Sequence, residues 1–76
     1  MSEPEARQSA ALKLSEILDD LIRAGESTRA LSVIEALGAT GSEVAGRKLG
    51  QLFDQTEDSA MENAIIRALG EVGRHA

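Results

Sequence analysis

The sequence contains no cysteine, no tryptophan and no tyrosine, and its single aromatic residue is Phe53. Without cysteine, neither a disulfide nor a thiolate metal site can form. The only histidine, His75, is next to the C-terminus, whereas a zinc site needs several nitrogen or sulfur ligands at fixed spacing. We therefore predict no bound metal, no cofactor and a light core of Leu, Ile, Val, Ala and Met.

Catalytic groups are equally scarce. Serines are present, but the only histidine is in the tail, so no Ser–His pair is visible. The acidic pairs at 19–20 and 57–58 fall at polar helix ends or turns, whereas catalytic carboxylates need burial in a cleft to separate their pKa values. The glycine-containing segment 38–41 is too short for a phosphate-binding loop and lacks its lysine. The sequence predicts no catalytic residues and no enzyme.

Long apolar runs are absent too. No stretch approaches the roughly eighteen apolar residues that a membrane span requires, and the acidic N-terminus does not resemble a signal peptide, so the default location is the cytoplasm. Eight basic against thirteen acidic residues give a net charge of −5, and such a surface repels phosphate backbones. Neither a membrane nor a nucleic acid is a predicted partner.

Helical periodicity and helix-end signals are what the chain does contain. They predict a single all-α domain over residues 5–73, with a disordered N-terminus at 1–4 and a tail at 74–76. The four expected helices run from Glu5 to Ala24, from a cap at Ser27 or Thr28 to about Leu37, from a cap at Ser42 to about Asp54, and from a cap at Asp58 or Ser59 to about Leu69. Gly25 and Gly38 are expected to end the first two helices, and Gly70 and Gly73 to loosen the end of the fourth.

Each helix has an apolar face at three- and four-residue spacing, which we expect to be buried. The predicted inner residues are Ala10, Ala11, Leu14, Ile17, Leu18, Leu21 and Ile22 in the first helix, Ala30, Val33, Ile34 and Leu37 in the second, Ala45, Leu49, Leu52 and Phe53 in the third, and Met61, Ala64, Ile65, Ala68, Leu69 and Val72 in the fourth, with Ile66 broadening the last face.

Two segments of the chain are alike at a fixed distance of 32 positions. Residues 33–41, VIEALGATG, align with residues 65–73, IIRALGEVG. A constant period in this range is typical of stacked helical hairpins. In such a unit the alanine lets neighbouring helices approach closely, and the leucine fills the shared core.

This pattern resembles the short bacterial HEAT-like repeats first noted in phycobilin lyase subunits. In that family a helix ends in Ala-Leu-Gly, a glycine-containing turn follows, and a second helix ends in Leu-x-x-Leu and an acidic residue. Residues 28–73 fit this description, except that Met61-Glu62 stands where an arginine is usual. The resemblance implies two stacked antiparallel hairpins; the alternative is a plain four-helix bundle.

The function that we expect is protein binding by a non-enzymatic adaptor, small inhibitor or chaperone-like subunit. HEAT-like arrays bind through the concave face lined by the second helix of each unit, so the resemblance implies binding by exposed residues of the third helix, namely Arg47, Lys48 and Gln51. Gly46 and Gly50, four residues apart, suggest that something approaches that helix closely: the next helix of the same chain, or a second copy. An accessory subunit of an enzyme complex and a self-assembling homodimer are the alternatives.

The short length supports a partner of some kind. A chain of 76 residues buries a modest fraction of its surface, and disulfides, metals or oligomers usually compensate. Two repeats are also fewer than the three or more that a solenoid generally needs. Because disulfides and metals are excluded, we expect a second copy of the chain or a larger protein to cover the exposed ends.

Overall fold

A computed structural model of the protein describes residues 3–74, which form four α-helices and no strand. The helices are α1 (Glu3–Arg23), α2 (Ser27–Thr40), α3 (Glu43–Gln55) and α4 (Ser59–Arg74). The all-α prediction is confirmed. The parts of the predicted N-terminus and tail at residues 1–2 and 75–76, including His75, lie outside the described residues. No helix within residues 3–74 has the length and apolarity of a membrane span.

Local sequence signals place three of the helix ends. Gly25 follows α1 with a φ of +73°, and the amides of Gly25 and Glu26 donate to the carbonyls of Ile22 and Leu21, the hydrogen-bond pattern of a Schellman C-cap. Ser42 caps α3 by accepting a 3.0 Å hydrogen bond from the amide of Ala45. These two ends agree with the prediction.

Asp58 is the cap of α4. Its carboxylate accepts a 3.1 Å hydrogen bond from the amide of Met61, which satisfies one of the free amides at the helix start. At the start of α2 the cap position is taken by Glu26, whose side chain makes no capping hydrogen bond. The predicted cap at Ser27 or Thr28 is therefore wrong, and both residues lie in the first turn of the helix.

Gly38 does not end α2, contrary to the prediction. The helix continues through Gly38 to Thr40, and Gly41, with a φ of +64°, is the left-handed residue that follows it. A Cβ built on Gly38 would lie 2.7 Å from the Cα of Ala68 in α4. The glycine is needed because another backbone approaches it there, so its place is inside a packed helix.

The end of α4 also differs from the prediction. The helix continues five residues beyond Leu69, to Arg74, and includes both Gly70 and Gly73. Each glycine costs roughly 1 kcal/mol relative to alanine inside a helix. That cost is too small to stop a helix whose opposite face carries the partly buried side chain of Val72 against the core.

The helices pack as two layers. Helix α1 contacts α2 and α3, helix α4 contacts α2 and α3, and no α1–α4 contact occurs within residues 3–74. In the α3–α4 pair, Gly46 lies beside Val72 at one end and Thr56 hydrogen-bonds Met61 at the other, so these helices are antiparallel. This arrangement is compatible with the predicted pair of stacked antiparallel hairpins.

The core contains ten buried apolar residues contributed by all four helices: Ala11, Leu18, Ala30, Ile34, Leu37, Ala45, Leu49, Leu52, Ile65 and Ala68. All ten belong to the predicted inner faces. Four other members of those faces, Ala10, Ile17, Ile22 and Phe53, are exposed, as is Ile66. The predicted apolar stripes are therefore wider than the surface that the neighbouring helices cover.

Candidate protein-binding surfaces

The five residues predicted to bind a partner all lie on α3, but they do not share one environment. Arg47 and Gln51 are exposed, and Arg47 forms a 3.0 Å ion pair with Glu43 one turn earlier. Lys48 projects toward α1, where its ammonium lies 2.5 Å from the carboxylate of Asp19. Only Arg47 and Gln51 therefore remain available as solvated polar side chains.

The two glycines of α3 differ as well. A Cβ on Gly46 would lie 3.5 Å from a methyl group of Val72, which is ordinary van der Waals contact. A Cβ on Gly50 would have no neighbour within 4 Å. Among the glycines of residues 3–74, the one with another helix closest to its built Cβ is instead Gly38, a position that the sequence marked only as a helix end.

The repeated segments place similar residues in opposite environments. In α2, Ile34, Leu37 and Gly38 occupy one helix face and are buried. The residues 32 positions later in α4 are Ile66, Leu69 and Gly70. Ile66 is 54% exposed, and nothing lies within 4 Å of a Cβ on Gly70.

We call Ile66, Leu69 and Gly70 the terminal face. The matching face of α2 packs closely against α4 at Gly38, whereas within residues 3–74 no helix covers Ile66 or Gly70 in the same way. The 32-residue offset could have identified these three positions from the sequence. Which of the two repeated segments is buried depends on the packing of the helices, and the sequence alone does not show this packing.

A second apolar surface lies at the end of the molecule where α3 turns into α4. Here Ile22 of α1, Leu52 of α3 and Met61 of α4 line an open pocket of about 370 Å³. A smaller pocket lined by Asp19, Arg23 and the same Ile22 and Leu52 adjoins it. We call the two together the loop-end groove.

The rim of the loop-end groove is acidic. Glu57 and Asp58 line it, and Asp54 and Glu62 are their acidic neighbours along the chain. Within residues 3–74 none of these four carboxylates takes part in an ion pair. Among residues 3–74 these four carboxylates are therefore not neutralised by an ion pair, and Arg23, which lines the adjoining pocket, is paired with Asp20.

The net charge of the whole chain is concentrated in the segments that form this end. Residues 19–29 and 54–62 carry seven acidic and two basic side chains, which equals the net charge of −5, while the remaining residues carry six of each sign. The sequence contains this asymmetry, but it becomes meaningful only when the fold brings residues near Ile22 beside residues near Asp58.

A metal site requires several side chains that can act as ligands close together. Within the described part of the chain no group of three or more His, Asp or Glu side chains is placed to hold a metal ion. A scan against protein-family models, a search of curated proteins and a search of solved structures each found no match to this chain.

Proposed function

We propose that this protein is a non-enzymatic protein-interaction module with a HEAT-like repeat architecture, acting as an adaptor, small inhibitor or chaperone-like subunit. The observation that carries the proposal is the contrast between the two repeated segments. Ile34 and Leu37 are buried in α2, whereas in α4 the matching Ile66 is exposed and Leu69 is only partly buried.

The physical argument is that the terminal face repeats a surface against which a helix packs in α2, yet no helix within residues 3–74 covers its Ile66 and Gly70. The α2 face accepts α4 so closely that only glycine fits at Gly38. The terminal face repeats the isoleucine, leucine and glycine at the same spacing. Exposing such a surface to water forgoes roughly 25 cal/mol for each Å² of apolar area that a partner would cover.

The partner that we propose is a different protein, which presents an apolar helix to the terminal face. Helix-on-helix docking of this kind uses apolar anchors at spacings of three and four residues. The terminal face provides the exposed Ile66 as the main anchor, beside Leu69, which is partly buried against the core, with Gly70 as the point of close approach. Arg47 and Gln51 on α3 remain candidates for further polar contacts.

Affinity capture from the native host with matched variants tests the proposal. The wild type is expected to retain a stoichiometric protein that Ile66→Lys loses. Leu12→Lys is the control, because Leu12 is equally exposed, at 57%, but lies on α1. Recovery of the same protein by wild type and Ile66→Lys would contradict a role for the terminal face.

Self-association is the alternative to a different partner. Light scattering of the purified wild type distinguishes the two, since the proposal expects a monomer and a self-assembling structural protein expects a dimer. A dimer that Ile66→Lys converts to monomer would place a second copy on the terminal face and overturn the choice of a different protein. If a captured partner is an enzyme, the accessory-subunit alternative takes the place of the adaptor.

A further inference from the structure

We propose that the loop-end groove binds a basic segment of a partner protein, with a long apolar side chain of that segment inserted between Ile22, Leu52 and Met61. This site is separate from the terminal face, and its existence does not depend on what covers Ile66. The groove supplies apolar contact, and its rim determines the charge of the occupant.

The floor of the groove is suited to an aliphatic side chain. Ile22 is 37% exposed and therefore offers apolar area that a ligand can cover. Met61, whose sulfur accepts a 3.4 Å hydrogen bond from the Thr56 hydroxyl, is a flexible and polarisable wall that adapts to different apolar groups. A volume of about 370 Å³ is within the range of sites that hold small organic groups.

The rim selects positive charge. Glu57 projects from the α3–α4 loop without an ion-pair partner among residues 3–74, and Asp58 uses one carboxylate oxygen to cap α4. Lysine or arginine side chains flanking the inserted group would neutralise these carboxylates. Complementary charges across an interface raise association rates and exclude wrongly charged partners.

The same charge excludes the other occupants. A second copy of this chain would bring either its own acidic end, which the rim repels, or a remainder with equal numbers of acidic and basic side chains, which offers no excess of positive charge. Nucleic acids and anionic lipid surfaces carry the same sign as the rim and are repelled. A basic polypeptide with apolar side chains is the class of partner that satisfies both the floor and the rim.

The probes for the test are three fluorescein-labelled synthetic peptides: repeats of Lys-Lys-Leu, repeats of Glu-Glu-Leu, and repeats of Lys-Lys-Ser. Fluorescence anisotropy at about 0.1 M salt, where the Debye length is about 10 Å, is expected to detect binding of the Lys-Lys-Leu peptide and none of the Glu-Glu-Leu peptide. The Lys-Lys-Ser peptide should bind about tenfold more weakly, because it lacks the apolar contact. Equal binding of both lysine peptides would overturn insertion into the groove.

Matched charge variants locate the site. Glu57→Lys is expected to weaken binding of the Lys-Lys-Leu peptide about tenfold. Glu43→Lys makes the same charge change at the other end of α3, where Glu43 is exposed, and should change affinity less than about twofold because exposed charges beyond about 10 Å are screened. Equal effects of the two variants would mean that binding follows net charge alone and would refute the site.

Matched apolar variants complete the test. Ile22→Ser is expected to weaken binding of the Lys-Lys-Leu peptide several-fold without weakening binding of the Lys-Lys-Ser peptide. Ile66→Ser should leave the affinity for both peptides unchanged. Circular dichroism of each variant establishes that it is folded. If Ile66→Lys loses the host partner but still binds the peptides, the groove and the terminal face are separate sites. If substitution of Ile22 or Glu57 does not change peptide binding, the groove is refuted, while the proposal for the terminal face is unaffected.

Discussion

The backbone of Ala68 in α4 lies directly against Gly38 in α2. A Cβ placed on Gly38 would stand 2.7 Å from the Ala68 Cα, 2.8 Å from its Cβ and 2.9 Å from its carbonyl oxygen. All three distances are shorter than van der Waals contact, and two of the atoms belong to backbone that moves only with its helix. The α2–α4 interface therefore depends on the absence of a side chain at this position.

Alanine at Gly38 is expected to destabilise the protein. The added methyl group forces α2 and α4 apart, and overpacking of this kind costs about 1–3 kcal/mol. The better helix propensity of alanine offsets up to about 1 kcal/mol of that cost. Urea denaturation followed by circular dichroism measures the change.

Gly70→Ala is the matched control for Gly38→Ala, because both glycines follow Ala-Leu at the 32-residue offset. Gly70 is helical and has nothing within 4 Å of its built Cβ. Its substitution should therefore raise the free energy of unfolding by up to about 1 kcal/mol. Opposite signs at the two positions are the expected result, and equal signs would contradict the close approach at Gly38.

Ser42 is expected to contribute to stability as the cap of α3. Its side chain is buried and accepts the hydrogen bond from the Ala45 amide. Ser42→Ala leaves that amide without its partner and should cost about 1 kcal/mol, or about 4–8 °C in Tm for a domain of this size. Ser27→Ala is the comparison, since Ser27 is exposed and does not cap α2; a loss there as large as at Ser42 would refute the capping role.

The ion pair between Lys48 and Asp19 should contribute more to the stability of the fold than the Arg47–Glu43 pair on α3. Lys48 is 20% exposed and links α3 to α1, whereas Arg47 is 76% exposed and pairs within its own helix. A double-mutant cycle with Lys48→Met and Asp19→Asn is expected to give a coupling of up to about 1 kcal/mol, and the Arg47–Glu43 cycle about 0.3–0.5 kcal/mol. Added salt should lower both coupling energies. A coupling energy near zero for Lys48–Asp19 would contradict a stabilising link between α1 and α3.

Most signals confined to a few neighbouring residues were predictable from the sequence, the cap of α2 at Glu26 being an exception, and signals that depend on distant partners were not. The Schellman turn at Gly25 and the cap at Ser42 need only residues within a helical turn, so the sequence was sufficient. Gly38 and Gly70 occupy identical Ala-Leu-Gly contexts, and for each the sequence predicts a helix that ends at or just before the glycine. Only the position of Ala68 explains why one is a packing site and the other is open.

The candidate surfaces follow the same division. The 32-residue repeat could be recognised without coordinates, yet the exposure of Ile66 depends on which of the helices within residues 3–74 pack against it. Helix periodicity placed Ile22 and Phe53 on inner faces, but each is more than a third exposed, so the other helices cover only part of each side chain. The loop-end groove combines α1 with the α3–α4 loop, and no short sequence pattern records that proximity.

The contrast between Ile34 and Ile66 gives the last prediction, which separates folding from binding. Ile34 is fully buried between helices, so Ile34→Ala removes buried methyl groups, leaves a cavity and should cost about 2–5 kcal/mol. Ile66 is 54% exposed, and Ile66→Ala should change the free energy of unfolding by less than about 0.5 kcal/mol. Denaturation of the isolated chain at several protein concentrations is the measurement. A large loss of unfolding free energy for Ile66→Ala that grows with protein concentration would reveal that a second copy covers the terminal face. A large loss that does not depend on concentration would mean that Ile66 belongs to the core of the monomer.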